Sequence, residues 1–400
     1  MIIGCIADDF TGASDAASFL VKGGMRTLLL SDDVSKWDSI DLSEADAVVI
    51  ALKTRTVEKE KAIAISLQAI SWLQQHGAKQ FYFKYCSTFD STPEGNIGPV
   101  ADAIMEYLSV DHAILCPALP ANGRTVKNGN LFVNGIPLDE SSMKDHPLTP
   151  MWDHSIKKLI EPQSRYQAFL SADKLEKQDR YYLVPDYEND QDAERIIEQF
   201  GQDLFLTGGS GILEFLARSH VRSEGDKTTH ERVFGKTLLL AGSCSVATRR
   251  QIKQYQESGY PFYKIDPFRI TWGKEREAGT ILSGPEITEQ VLIYSSDTPD
   301  QVRKSQEIGV ADVAGAIEDY LAGCAQKALE MGYTKIIVAG GETSGAVTKA
   351  LGFTNFRIGD SIAPGVPVLI PLESPGIRLV LKSGNFGEED FFLKAMQIIG

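Results

Sequence analysis

Short continuous apolar runs alternate along this chain with stretches whose apolar residues recur at helical spacing. Residues 2–7, 26–30, 47–52, 81–85, 113–116 and 203–207 read as strands. Residues 12–22, 58–76 and 99–108 read as helices between them. Unbroken Val/Ile/Leu strands separated by helices predict a parallel sheet covered on both faces. The same alternation restarts at Lys236, with strands at 237–240, 290–294, 335–339 and 378–382. Helices are predicted there at 246–258, 311–331, 344–351 and 388–396. The fold class is α/β: two domains, each a largely parallel sheet flanked by helices, with the active site expected in the cleft between them.

Within the first half, Asn128-Gly129 and Asn134-Gly135 bracket a short apolar run, which predicts a hairpin or flap over 126–136. Residues 139–202 are polar, carry Pro147, Pro150, Pro162 and Pro185, and yield no clear elements. Residues 219–232 are charged and nearly free of apolar side chains, the signature of a linker. The expected organisation is therefore a domain over 1–220, a linker over 221–235 and a second domain over 236–400. No period of 20 to 50 residues and no low-complexity tract is present.

Composition narrows the function classes. The 400 residues are 43% hydrophobic with a net charge of −14, and no Lys/Arg run offsets it. Nucleic acid and anionic membrane are poor partners for such a surface, whereas a small anion needs only a few local donors such as Lys53, Arg55, Lys84 or Arg124. The five cysteines have neither disulfide-framework nor zinc spacing, and the six histidines show no metal-ligand spacing. No apolar run approaches a membrane span and no leader pattern opens the chain, so a cytoplasmic protein is expected.

Ligands in open parallel sheets bind beyond the carboxyl ends of the strands, so the residues after each strand are the candidates. In the first domain these are Asp8-Asp9-Phe10-Thr11, Lys53-Thr54-Arg55, Cys86 to Ser91, Pro117 to Arg124, and Gly208 to Gly211. Asp8 and Asp9 could be a helix cap with a solvated neighbour; the same pair could take a proton from a hydroxyl or hold sugar hydroxyls. Asp90, among Ser87, Thr88 and Ser91, is a second candidate carboxylate, in a sequence that also suits an ordinary turn. Lys53, Arg55 and Arg124 suit a substrate carboxylate, although each could be a surface ion pair.

The second domain offers three small-residue turns: 241–245, 340–344 and 383–387. Each follows an apolar run and precedes a helical pattern, which brings amide N–H groups and helix N-termini to one sheet edge, as phosphate binding requires. At Gly340-Gly341, Thr343 or Ser344 is expected to cap the following helix. Gly235-Lys236-Thr237 is no P-loop, because position 230 is His and the strand follows the lysine. Gly208 to Gly211 lacks dinucleotide spacing, with Glu at 214. No G-x-S-x-G elbow supports a serine hydrolase.

The strings ADDFTGASDAASFL (7–20), FKYCSTFDSTPEGNIGPV (83–100), CPALPANGRTV (116–126), TGGSG (207–211), AGSCS (241–245), AGGETSGAV (339–347) and LKSGNFG (381–387) resemble the four-carbon acid sugar kinase family. Within it they are most similar to the branch acting on 3-oxo-tetronate. The resemblance implies an N-terminal acid-sugar-binding domain and a C-terminal ATP-binding domain that phosphorylate a terminal C4 hydroxyl; phosphoryl transfer from ATP is expected to use Mg²⁺ as cofactor. The resemblance does not fix the base; Asp9, or else Asp8, is expected to act on the hydroxyl. Arg124 and Lys53 are expected to bind the C1 carboxylate, while Ser87, Asp90 and Asn96 read hydroxyl or keto oxygens.

Thr11, Arg55, Thr88, Asn122 and Gly209 complete the expected substrate set. The nucleotide falls to Ser243, Ser245, Gly340, Gly341, Glu342, Thr343, Ser383, Gly384 and Asn385, with metal ligands unassigned. A kinase for D-threonate or D-erythronate, a non-catalytic acid-sugar sensor and an NAD-dependent oxidoreductase are the alternatives; missing dinucleotide spacing counts against the last. Homo-oligomerisation stays open.

Overall fold

A computed structural model of the chain describes residues 1–145, 149–171, 180–221, 233–287, 289–296 and 313–399. The chain forms two compact units, Met1–Lys227 and Thr228–Gly400. Most of the expected linker, 222–232, lies outside the described residues.

The first unit contains β1 (Ile3–Ala7), β2 (Thr27–Leu30), β3 (Ala47–Ala51), β4 (Gln80–Lys84), β5 (His112–Cys116), β6 (Arg124–Lys127), β7 (Asn130–Val133), β8 (Ile136–Pro137), β9 (Gln167–Phe169), β10 (Tyr181–Leu183) and β11 (Phe205–Gly208). Eight of these form one parallel sheet in the order β2-β3-β1-β4-β11-β5-β10-β9. Strands β1, β3 and β4 are buried along their whole length, which is why they read as continuous apolar runs rather than alternating ones. From β1 the chain turns to β2 and β3 on one side, while β4 lies on the other. The loop after β1, with its two carboxylates, thus stands where the strand order reverses, which is where open α/β sheets place ligands.

Strands β6, β7 and β8 make the expected flap as a separate antiparallel sheet. Asn128-Gly129 (φ 48° and 70°) and Asn134-Gly135 (φ 51° and 79°) both take the left-handed pair of values a tight type I′ turn demands. Two short strands, β9 and β10, lie inside the polar stretch where the sequence pattern showed none. Three residues each are too few to establish a period.

The second unit contains β12 (Lys236–Ala241), β13 (Phe262–Lys264), β14 (Gln290–Tyr294), β15 (Tyr333–Ala339), β16 (Asn355–Ala363), β17 (Val366–Pro371) and β18 (Arg378–Lys382), ordered β13-β14-β12-β15-β18-β17-β16. The first five run parallel, but β17 is antiparallel to both β18 and β16. That hairpin is an addition to the expected pattern. Pro364-Gly365 turns it, and Gly359 with Pro367 and Pro371 blurred the alternation. Strand β12 lies between β14 and β15, so the loops after β12 and β15 leave adjacent strands. Their core is a shared aliphatic and aromatic cluster including Leu239, Tyr255, Ile337, Val380 and Phe391. No helix among the described residues is long and apolar enough to cross a membrane.

Candidate functional site

In the first unit the two carboxylates after β1 have different fates. Asp8 is buried, and its two oxygens receive the Nε and NH2 groups of Arg55, both at 2.8 Å. Asp9 accepts the third guanidinium nitrogen at 2.9 Å and caps the helix Phe10–Lys22 through Gly12 N–H at 2.6 Å. Its side chain is still 36% exposed, against 6% for Asp8. Burial in this crevice pushes the Asp9 carboxyl above its usual range, opposed by Arg55 and assisted by repulsion from Asp8. The helix cap is therefore a reachable, fixed carboxylate whose proton affinity burial raises.

Asn96 has its amide nitrogen engaged within the protein. It donates to Thr54 and Val57 carbonyls at 2.7 and 2.8 Å, clamping the segment that carries Arg55. Lys53 lies apart, 79% exposed and paired with Asp32 at 3.5 Å. Arg124 is half-buried at the start of β6; one NH group donates to the Asn122 carbonyl, and its buried Nε has no partner. Thr11 is exposed at the helix start, and Ser87 is half-buried after β4.

The loop after β4 is tightly made. Thr88 donates to Asp90 at 2.5 Å and touches Cys86 Sγ at 3.0 Å. Phe89, fully buried, holds a positive φ of 52° while packing edge-on against Tyr85. A bulky residue in that region is a strained conformation that the packing enforces, and such strain concentrates at functional loops. Burial pushes the Cys86 thiol up to about 12, so it is no nucleophile. Gly209 has a packing role: its N–H bonds Cys116 O at 2.9 Å, and a Cβ there would stand 2.3 Å from Pro117 O.

Three polar side chains near these strand ends stand outside the expected site set, Lys84 having been named only as a possible anion donor. Lys84, at the end of β4, is 3% exposed; Asp15 is 8% exposed; Ser210 is fully buried and donates to Asp15 Oδ2. The available signal was an aspartate among Ala13, Ser14, Ala16 and Ala17, where a helix face otherwise made of small residues packs inward.

In the second unit the three small-residue loops converge. Gly340 N–H bonds Lys382 O at 3.0 Å, and Gly242 N–H bonds Ala339 O at 3.1 Å. Ser245 Oγ caps the helix Val246–Glu257 through Thr248 N–H and donates to Gly384 O at 2.6 Å. Ser243 Oγ accepts from Ser245 N–H at 3.2 Å. Cβ atoms added at Gly242 and Gly384 would fall 2.1 Å from Thr343 Oγ1 and 2.3 Å from Ser243 Oγ, so these glycines set the close approach.

The expected Thr343 or Ser344 cap is not made. The helix Gly341–Leu351 starts earlier, at Gly341, with Gly340 as its uncapped N-terminal residue. Both residues thus lie inside the helix, where their hydroxyls cannot reach back to its first amides. Ser344 Oγ is buried without a partner, while Gly341, Glu342 and Asn385 are exposed and Ser383 half-buried. An uncapped helix start, a second capped one and a collar of glycines fit the phosphates of a nucleotide.

Beneath the collar lies Lys382, the last residue of β18 and only 1% exposed. Its ammonium donates to Thr248 Oγ1, Ser383 O and Gly384 O, each at 3.1 Å. Burial pulls the amine down to about 7. Gln251 completes the support by donating to the carbonyls of Phe386, Gly387 and Glu388, each at 3.0 Å.

Comparison with known proteins follows the same division. A family model described as a sugar-binding N-terminal domain matches residues 3–216, and one described as a nucleotide-binding C-terminal domain matches residues 238–392. The chain is 42% identical to a protein of Cupriavidus necator named 3-oxo-tetronate kinase, over all of this chain and 97% of the relative. It is 40% identical to the Haemophilus influenzae protein of that name, over 98% of each. Crystal structures from Haemophilus influenzae and Salmonella typhimurium superpose with TM-scores of 0.85 and 0.89. Each is 39% identical, covering 99% of this chain and 100% and 98% of theirs.

Proposed function

Because the chain belongs to the four-carbon acid sugar kinase family, we infer that it is an ATP-dependent phosphotransferase that phosphorylates the C4 hydroxyl of 3-oxo-tetronate. The observation that carries the chemistry is the asymmetric pair Asp8 and Asp9. Arg55 neutralises Asp8 by a two-pronged contact and steers Asp9, leaving Asp9 to orient the hydroxyl and receive its proton. Phosphoryl transfer asks little covalent chemistry of the protein beyond alignment and charge neutralisation.

Arg124, with its unpartnered Nε, is the cation suited to the C1 carboxylate; Lys53 is left as a surface charge. Ser87 and the Thr88–Asp90 pair offer hydroxyl contacts at the β4 loop. ATP phosphates would be held by the Ser243, Gly340 to Thr343 and Ser383 to Asn385 turns. Mg²⁺ would be carried on the ATP phosphates, which need only one or two protein ligands in addition; among the described residues no group of three His, Cys, Asp or Glu side chains could hold a metal.

Purified protein with Mg-ATP is expected to release ADP fastest with 3-oxo-tetronate, against D-threonate, L-threonate and D-erythronate in parallel. Preference for one of the other acids would move the substrate within the class. ATP binding without ADP release on any acid would leave a sensor. A separate test addresses the phosphate cradle. Gly340→Ala places a side chain at φ 132°, 3.0 Å from Thr343 Oγ1 and 3.1 Å from Ser243 N, a strain costing about 1–3 kcal/mol. The KM for ATP should rise about tenfold or more, and an unchanged KM would remove this turn from the nucleotide site.

A further inference from the structure

The buried charges behind Asp9 are not accounted for by the transfer step. Asp15 Oδ2 is held by the Ser210 hydroxyl, but Oδ1 is enclosed and accepts no hydrogen bond. Lys84 Nζ makes one hydrogen bond among the described residues, to Tyr85 O at 2.9 Å, although an ammonium carries three donors. Arg124 Nε is a third enclosed group without a partner.

The charges that act on Asp15 are those of Lys84, Asp9 and Arg124, so these groups surround one region at the carboxyl ends of β1 and β4. A Cβ on Gly12 would stand 2.6 Å from Asp9 Oδ1 and 3.1 Å from Lys84 Nζ, which places the lysine head beside the Asp9 carboxylate. Yet no direct ion pair joins Lys84 to Asp15. A carboxylate and an ammonium buried together without mutual contact are costly unless something supplies the missing hydrogen bonds.

The vacancies are one acceptor and neighbouring donors. Their complement is a hydroxyl adjacent to a carbonyl oxygen, which is the C2–C3 portion of a 3-oxo-tetronate. Resting on the kinase reading above, we propose that Asp15 Oδ1 accepts a hydrogen bond from the C2 hydroxyl and Lys84 donates one to the C3 keto oxygen, making this pair the specificity determinant for the oxo acid. A C3 hydroxyl in place of the oxo group would bring a second proton to a spot whose one free acceptor is already used. A buried donor left unpaired in this way costs enough to favour the oxo acid by about 10- to 100-fold.

The test pairs two variants with a trimmed substrate. Wild type and Asp15→Asn are assayed with 3-oxo-tetronate and with 4-hydroxy-3-oxobutanoate, which lacks the C2 hydroxyl. The variant should raise KM at least tenfold for the first and leave the second unchanged, with KM for ATP within twofold of wild type. Equal losses on both acids would mean that Asp15 is structural and overturn the assignment. Lys84→Met should shrink the preference for 3-oxo-tetronate over D-threonate about tenfold, while Lys84→Arg restores part of it. A preference that survives Lys84→Met overturns the keto contact, and this arm decides alone where Asp15→Asn does not fold. Failure of wild type to phosphorylate any four-carbon acid brings down the kinase reading and this inference with it; turnover with unaltered variant selectivity brings down only the inference.

Discussion

Asp9→Asn should lower kcat by about 10³-fold, within the range for loss of a positioned general base, while ATP titration gives the wild-type affinity. The substitution is nearly isosteric. The amide oxygen can still cap Gly12 N–H, so the helix Phe10–Lys22 keeps its start and the protein its fold. What is lost is the charge that meets Arg55 and the capacity to receive a proton. Asp8→Asn should behave differently: it replaces one of the two accepting oxygens, each 2.8 Å from the guanidinium, with a donor and removes the charge, leaving Arg55 partly unpaired in a buried setting. Its expected signature is lower thermal stability together with a smaller fall in kcat. Near-normal turnover by Asp9→Asn, or a larger kcat loss in Asp8→Asn, would transfer the proton role. Because burial raises the Asp9 carboxyl, the acid limb of the kcat profile should fall above the ordinary carboxylate range and vanish in Asp9→Asn.

The long buried strands were readable because a sheet covered on both faces needs uninterrupted apolar residues. Gln290–Tyr294 and Arg378–Lys382 have the bounds the pattern predicts. The Asn-Gly turns were readable for a different reason: few residue pairs tolerate two successive positive φ values. Strands of three residues such as Phe262–Lys264 carry no period, and the hairpin β16–β17 is broken by glycine and proline, so neither announced itself.

At the site, the sequence identified which loops matter because strand ends are where ligands gather. It could not say which polar groups are already engaged. Asn96 and Gly209 look like ligand contacts in a string of residues, but tertiary packing commits their polar groups to Thr54, Val57 and Cys116. Conversely, Asp15 and Lys382 lie in segments that read as helix and strand interior. A buried charge there is visible only once its burial is known.

Lys382→Met should raise KM for ATP about tenfold or more, with KM for the sugar acid within twofold of wild type. The magnitude follows from the three hydrogen bonds by which one ammonium ties the helix Val246–Glu257 to the backbone at Ser383 and Gly384; bonds to charged groups are worth about 1.5–3 kcal/mol each. Methionine fills similar volume against the Phe391 ring but donates nothing, so the loop should lose its register rather than the domain its core. The pH dependence separates this role from plain packing. A folded value of about 7 lies below the lysine's unfolded value near 10.4, so the unfolded chain binds more protons between those limits. Stability therefore rises with pH across that window, having been reduced most below pH 7. The neutral amine has one donor fewer for its three acceptors, so kcat/KM for ATP should fall as pH rises through about 7, where the stability gain begins. Opposite slopes in wild type, both flattened in Lys382→Met, are the expected result; an unchanged ATP profile in the variant would confine Lys382 to stability and leave the turns to hold phosphate without it.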